Sequence, residues 1–178
     1  GANNVALGAS ALENNTTASN NTALGYQAGY TNTTGTGLTS LGYQAAYTQT
    51  TPNYNTAIGQ QSLFRTTTGS NNAALGLNSM YENTTGSNNT AIGMSALNSN
   101  TTASESTAVG YQAGYTQTTS GGNTYVGKAA GYYTTGVSNT LIGQAAGSNI
   151  TSGTKNTILG RYNGNQSSLD IRTASNNI

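Results

Sequence analysis

The groups with which this chain could do chemistry are few and scattered. It carries four carboxylates (Glu13, Glu82, Glu105 and Asp170), five basic residues, no histidine and no cysteine. Acid–base catalysis needs two titratable groups around one bond, and covalent catalysis needs a nucleophile beside a base. Serine and threonine hydroxyls abound, but only scattered lysines could serve as bases. The carboxylates are too dispersed to form a hard-cation site. None of the many glycines is followed by the Gly-Lys-Ser/Thr ending of a phosphate loop. The chain is therefore expected to be non-enzymatic, with no cofactor and no metal.

The chemical pattern that does recur is aromatic. Gly-Tyr-Gln-Ala-Gly-Tyr occurs at Tyr26/Tyr30 and Tyr111/Tyr115, with a close variant at Tyr43/Tyr47. A phenol ring offers a planar apolar face and a hydroxyl at its edge, suited to stacking on another ring or on a sugar. These six tyrosines are candidate surface-binding residues, for which a stabilising ladder is the simpler explanation.

Their spacing belongs to a repeat that runs through the chain. Asn21-Thr22-Ala23-Leu24-Gly25 returns in altered form, its glycine recurring at 8, 25, 42, 59, 76, 93, 110, 127, 143 and 160. Eight of those steps are 17 residues and one, Gly127 to Gly143, is 16. A fixed period with no helical signature inside it is the mark of a solenoid. The expected fold is all-β: a parallel β-solenoid, or β-roll, of ten coils of about 17 residues. Residues 1–165 form the solenoid, and 166–178 are expected to be a terminal capping strand or the start of a following domain. The chain opens part-way into a repeat, as a segment of a longer protein would.

Counting Asn21 as position 1, position 4 is aliphatic in every copy, from Leu7 to Leu159. That column is expected to face the coil interior, with position 2 beside it because strand side chains alternate. Position 3 would then point outward. It holds Ala23, Ala57, Ala74, Ala91, Ala108, Leu141 and Ile158, among others, and no charge. An uncharged outward column is expected to be covered by another copy of the chain. Position 5, always glycine, reads as a corner, and position 9 as a second bend. The Thr pair at positions 13 and 14 reads as a second short strand, giving two or three strands per coil. The residue missing from the eighth copy is placed between Tyr133 and Thr134. Stacking should turn the Asn at position 1 and the threonines into hydrogen-bonded ladders. Within the repeats, charges fall only at positions 6, 10, 11 and 17, as do ten of the twelve tyrosines, and mark the exposed faces.

The unit Asn-Thr-Ala-Leu-Gly-x-x-Ala resembles the head repeats of YadA-like trimeric autotransporter adhesins. It is also similar to repeats in phage tail fibres, notably marine ones. Residues 164 to 178, Gly-Asn-Gln-Ser-Ser-Leu-Asp-Ile-Arg-Thr-Ala-Ser-Asn-Asn-Ile, are similar to the segment following such repeats in those fibres. The resemblance covers nearly the whole chain, although the 17-residue period is longer than is usual for the bacterial heads. It implies a left-handed roll, three chains packed side by side, and exposure at a virion or bacterial cell surface.

Composition narrows the partners further. A net charge of +1 with dispersed basic residues leaves no footprint for nucleic acid or an anionic membrane. No apolar run approaches the roughly 20 residues that span a bilayer, so membrane insertion is not expected. The sequence is read as a structural or adhesive segment of a trimeric surface fibre, a rigid spacer that contacts a host-surface glycan or receptor. A self-assembling extracellular filament and an ice-binding solenoid are the alternatives.

Overall fold

The computed structural model describes residues 1–166 and 169–177. Each repeat contributes one three-residue strand: β1 Val5–Leu7, β2 Thr22–Leu24, β3 Thr39–Leu41, β4 Thr56–Ile58, β5 Ala73–Leu75, β6 Thr90–Ile92, β7 Thr107–Val109, β8 Thr124–Val126, β9 Thr140–Ile142 and β10 Thr157–Leu159. These pair in sequence order into one ten-stranded parallel sheet, every position facing its own repeat mate. The protein is a parallel β-solenoid. The rest of each coil is turn, so the second strand expected at positions 13 and 14 does not form. A coil this small leaves no straight run outside positions 2 to 4.

The corners are where the sequence placed them. At position 5 the glycines have φ between 115° and 136°. A β-carbon on Gly93 would lie 2.5 Å from the Gly110 carbonyl oxygen of the next coil. Both the torsion and the close approach demand glycine. Position 9 is also left-handed, with φ 60° at Gly29 and 49° at Leu63.

The two sides of the strand are the reverse of the expectation. Position 3 is the interior: Ala23, Ala57, Ala74, Ala91, Ala108 and Leu141 have no accessible surface, and Ile158 is buried. These seven residues therefore cannot be contacts to another chain. Position 4 faces out, with Leu24, Leu41, Leu75 and Ile92 each about two-fifths exposed. The cause is a volume exchange across the coil. Position 9 points inward and supplies the large core residue in several coils, as Leu63, Met80 and Leu97, opposite the small Ala57, Ala74 and Ala91. Where position 3 is large, as in Tyr125, Leu141 and Ile158, position 9 is Gly131, Gly147 and Gly164. In the second coil Gly29 leaves room that the Leu12 and Leu38 side chains fill. A close-packed lumen has space for one such side chain per coil, and position 4 is left outside it.

Polar groups inside the stack are arranged in ladders. The Asn72 amide donates to the Gly86 carbonyl (2.8 Å) and its Oδ1 accepts the Asn89 backbone N–H of the next coil (3.0 Å). Asn21, Asn55, Asn89, Asn123, Asn139 and Asn156 repeat the pattern in its essentials. At position 13, Thr33, Thr50, Thr67 and Thr84 each donate Oγ1 to the carbonyl one coil on. These ladders satisfy backbone groups that would otherwise be orphaned beside the thin core.

Two irregularities differ from the reading of the sequence. Thr134 N–H donates to Gly131 O (3.1 Å) as Asn32 N–H does to Gly29 O, which places Thr134 at position 12. The deletion of the eighth coil therefore falls after Thr135, in the following turn. Beyond Gly164, a hairpin of β11 (Asn165–Gln166) and β12 (Leu169–Asp170) is inserted into the tenth coil rather than laid over it. The stack then resumes. Thr151 N–H donates to Arg172 O (2.8 Å), the Thr154 and Ser175 hydroxyls lie 2.9 Å apart, and Asn177 N–H donates to Asn156 Oδ1 (3.1 Å). Asn177 thus holds position 1, and the 21-residue step from Asn156 is the usual 17 plus four. The signal was in the sequence: Thr173-Ala174-Ser175-Asn176-Asn177 repeats Thr17-Ala18-Ser19-Asn20-Asn21.

Candidate functional site

On the outward side of β1 to β10 an aliphatic column at position 4 runs beside a mostly threonine column at position 2. Position 4 presents Leu7, Leu24, Leu41, Leu75, Ile92, Ile142 and Leu159 as exposed aliphatics, at a spacing set by the parallel register. Position 6, just past the corner, adds exposed Tyr26, Tyr43, Leu77, Met94 and Tyr111. No charge occurs at position 4 or at the flanking position 2. Single exposed leucines are ordinary on a surface, whereas a stripe along an entire sheet marks an interaction face. The uncharged outward column expected at position 3 lies at position 4.

The six candidate tyrosines divide between two columns. Tyr26 and Tyr43 stack at position 6 with ring centroids 5.4 Å apart. At position 10 the ladder is longer: Tyr30, Tyr47, Phe64 and Tyr81 stack at 5.1, 5.2 and 5.0 Å, with interplanar angles of 10° or less. Tyr115 stacks on Tyr132 at 5.0 Å, and Tyr133 meets Tyr132 edge-on at 4.6 Å. Tyr111 has no ring neighbour among the described residues; the Lys128 ammonium lies 6.0 Å from its centroid. Phe64, Tyr81 and Tyr132 thus extend the ladder beyond the residues that the Gly-Tyr-Gln-Ala-Gly-Tyr motif singles out. Within a ladder each ring face is covered by its neighbour, so the side presented to solvent consists of ring edges and hydroxyls. Partial desolvation, with the neighbouring Tyr115, Tyr133 and Tyr111, raises the Tyr132 hydroxyl above the ordinary tyrosine range.

Charged groups decorate the same side. Arg65 and Glu82 at position 11 pair at 3.0 Å, and the Arg65 guanidinium also approaches the Tyr81 ring at 5.8 Å. The pair is well exposed and contributes well under about 1 kcal/mol to stability. Among the described residues no three His, Cys, Asp or Glu side chains cluster as metal ligands would. No helix among the described residues is long and apolar enough to cross a membrane. Thr33, Thr67 and Thr84 at position 13 spend their hydroxyl protons on carbonyls of the next coil.

Compared with family models, curated proteins and solved structures, the chain matches none of them.

Proposed function

We propose that this chain is a non-enzymatic structural and adhesive segment of a trimeric surface fibre, of the kind found in phage tail fibres and bacterial adhesin heads. The observation that carries the reading is the uncharged aliphatic stripe at position 4, running the length of the sheet on its outer side. One such stripe on a rod with a thin core is stabilised by burial against copies of itself. A stripe on one face of a straight rod suits side-by-side packing of identical chains around an axis, a closed arrangement that leaves no apolar face over. The resemblance of the repeat to YadA-like heads and phage tail fibres implies the left-handed winding and the number three. The ladders stiffen the rod as a spacer, and its tyrosine columns contact host-surface glycan. The setting is extracellular, on a virion or bacterial surface, and the partners are two further copies and a glycan.

The test is mass in solution. The protein is expected to run as a homotrimer by light scattering, and Leu75→Glu with Ile92→Glu should yield folded monomers with an unchanged circular dichroism spectrum. Charges introduced into a contact with little water cost several kcal/mol each, to order of magnitude. A wild type that remains monomeric up to high concentration ends the reading.

A further inference from the structure

The position-10 ladder has a missing rung. Its rings occupy six consecutive places if the sixth coil is skipped: Tyr30, Tyr47, Phe64 and Tyr81 below, Tyr115 and Tyr132 above, with Asn98 between. Neighbouring rungs stand 5.0 Å apart on either side of the interruption. Tyr81 and Tyr115 are separated by two coils, so their facing rings lie about 10 Å apart, twice the inter-strand spacing. Asn98 does not fill the interval. Its side chain is turned back onto the coil below, donating Nδ2–H to the Asn78 carbonyl at 3.1 Å. On the Tyr81 side the far face already meets Phe64, and on the Tyr115 side the far face meets Tyr132. Among the described residues no other ring stacks on Tyr81 or Tyr115 from this side, and the Arg65 guanidinium lies 5.8 Å from the Tyr81 centroid. The flanking position-11 groups are polar: the Ser99 hydroxyl in the same coil and the Glu82 carboxylate in the coil below.

We propose that this interval between Tyr81 and Tyr115, floored by Asn98, is a binding slot for one pyranose ring of a neutral glycan. The rim decides the class of occupant. A flat ring between two others takes up about this opening elsewhere on the ladder, where Tyr47 stands 5.1 Å from Tyr30 and 5.2 Å from Phe64, so width alone does not select a sugar. The polar groups around this opening suit a sugar chair, which carries hydroxyls at its edge and C–H hydrogens on both faces. Its C–H faces meet the two ring faces, and its equatorial hydroxyls point sideways to Asn98, Ser99 and Glu82. Elsewhere on the position-10 ladder consecutive rings cover each other's facing sides, so this slot is the place on it where two ring faces confront each other across an interval. The inference rests on the fibre reading for the source of the glycan and names what the rod touches.

The experiment uses the intact protein. Lactose, maltose and cellobiose, with indole as a flat aromatic control, are titrated and followed by saturation-transfer NMR and tyrosine fluorescence. At least one disaccharide is expected to bind in the millimolar range, with indole weaker. Asn98→Tyr completes the ladder, so it should raise the melting temperature while weakening sugar binding at least tenfold. Tyr115→Leu should weaken binding comparably with the fold intact by circular dichroism. Sugar binding unchanged in Asn98→Tyr, binding of indole alone, or binding of no probe each overturns the slot. Light scattering on the same samples reports assembly separately, so loss of the slot and loss of the fibre reading are told apart.

Discussion

The phenol ring of Tyr125 lies so close to Gly131 that a β-carbon on Gly131 would fall within the ring's own envelope. The other side of the ring covers Gly114, where a β-carbon would come within 2.6 Å. One aromatic side chain thus occupies the lumen of two coils, and two glycines make that possible. The same exchange of volume between positions 3 and 9 holds in the fourth to sixth and eighth to tenth coils, whereas in the second and seventh both positions are small and side chains from neighbouring coils fill the lumen.

The exchange is testable as a swap. Leu97→Gly should cost about 3–5 kcal/mol through the cavity and the flexible glycine, and Ala91→Leu about 1–3 kcal/mol through overpacking. Combined, they recreate the Leu141/Gly147 arrangement of the ninth coil and should recover a large part of the loss. Denaturant melts of the four-member cycle give the coupling directly. Costs that simply add would refute a shared lumen.

The Tyr125 hydroxyl is buried without a hydrogen-bond partner. Tyr125→Phe should therefore be neutral or stabilising by about 1 kcal/mol, because no bond is lost and a desolvation cost is removed. Burial also pushes this hydroxyl well above the ordinary value of 10.0. A raised folded-state value means that the unfolded chain gives up its proton first as the solution turns alkaline. The contribution to stability is complete below pH 10 and falls as pH climbs beyond it. Thermal melts across pH 8 to 11.5 should show that decline, and Tyr125→Phe should make it shallower. An identical decline in the variant would mean that Tyr125 titrates as if exposed.

Gly93→Val should be among the most damaging single changes. It combines a φ of 131° with a β-carbon placed 2.5 Å from the Gly110 carbonyl oxygen. Backbone strain alone is worth about 1–3 kcal/mol. Soluble yield and melting temperature should both drop sharply. A variant melting within a few degrees of wild type would show that the corner can be rebuilt.

Ile92, next to the buried Ala91, separates the two roles of the strand. Because its side chain is 40% exposed in the single chain, Ile92→Ala should alter the stability of the isolated rod by roughly 0.5 kcal/mol. Its larger effect should be on association, read as a steeper dependence of melting temperature on protein concentration. A loss of several kcal/mol at every concentration would return Ile92 to the core.

Asn89 tests the ladder. Asn89→Leu removes the donor to Ala103 O and the acceptor for Ser106 N–H, at 2.8 and 2.9 Å. Two buried backbone groups left unpaired should cost about 2–4 kcal/mol. Urea unfolding checks it, and a neutral result would mean that the ladder is decoration.

The period of the repeat determined the stack, the strand positions, the glycine corners and the Asn and Thr ladders, because each is a column property. A residue type that recurs at one place every 17 residues must meet its own kind in a parallel register. Alternation also fixed that Thr90 and Ile92 share one side and Ala91 takes the other. It could not say which side is the lumen. That was decided by volume contributed from elsewhere in the coil: Leu97 at position 9 and Asn100 at position 12 already fill the interior, so only an alanine fits at 91. The same holds at the tenth coil, where the four inserted residues of the hairpin hide the repeat from a fixed count although Asn177 returns to its column. A sequence column reports what a residue meets above and below it. Only the closed coil decides what it meets across the lumen, since that depends on the summed size of side chains that are far apart in the repeat.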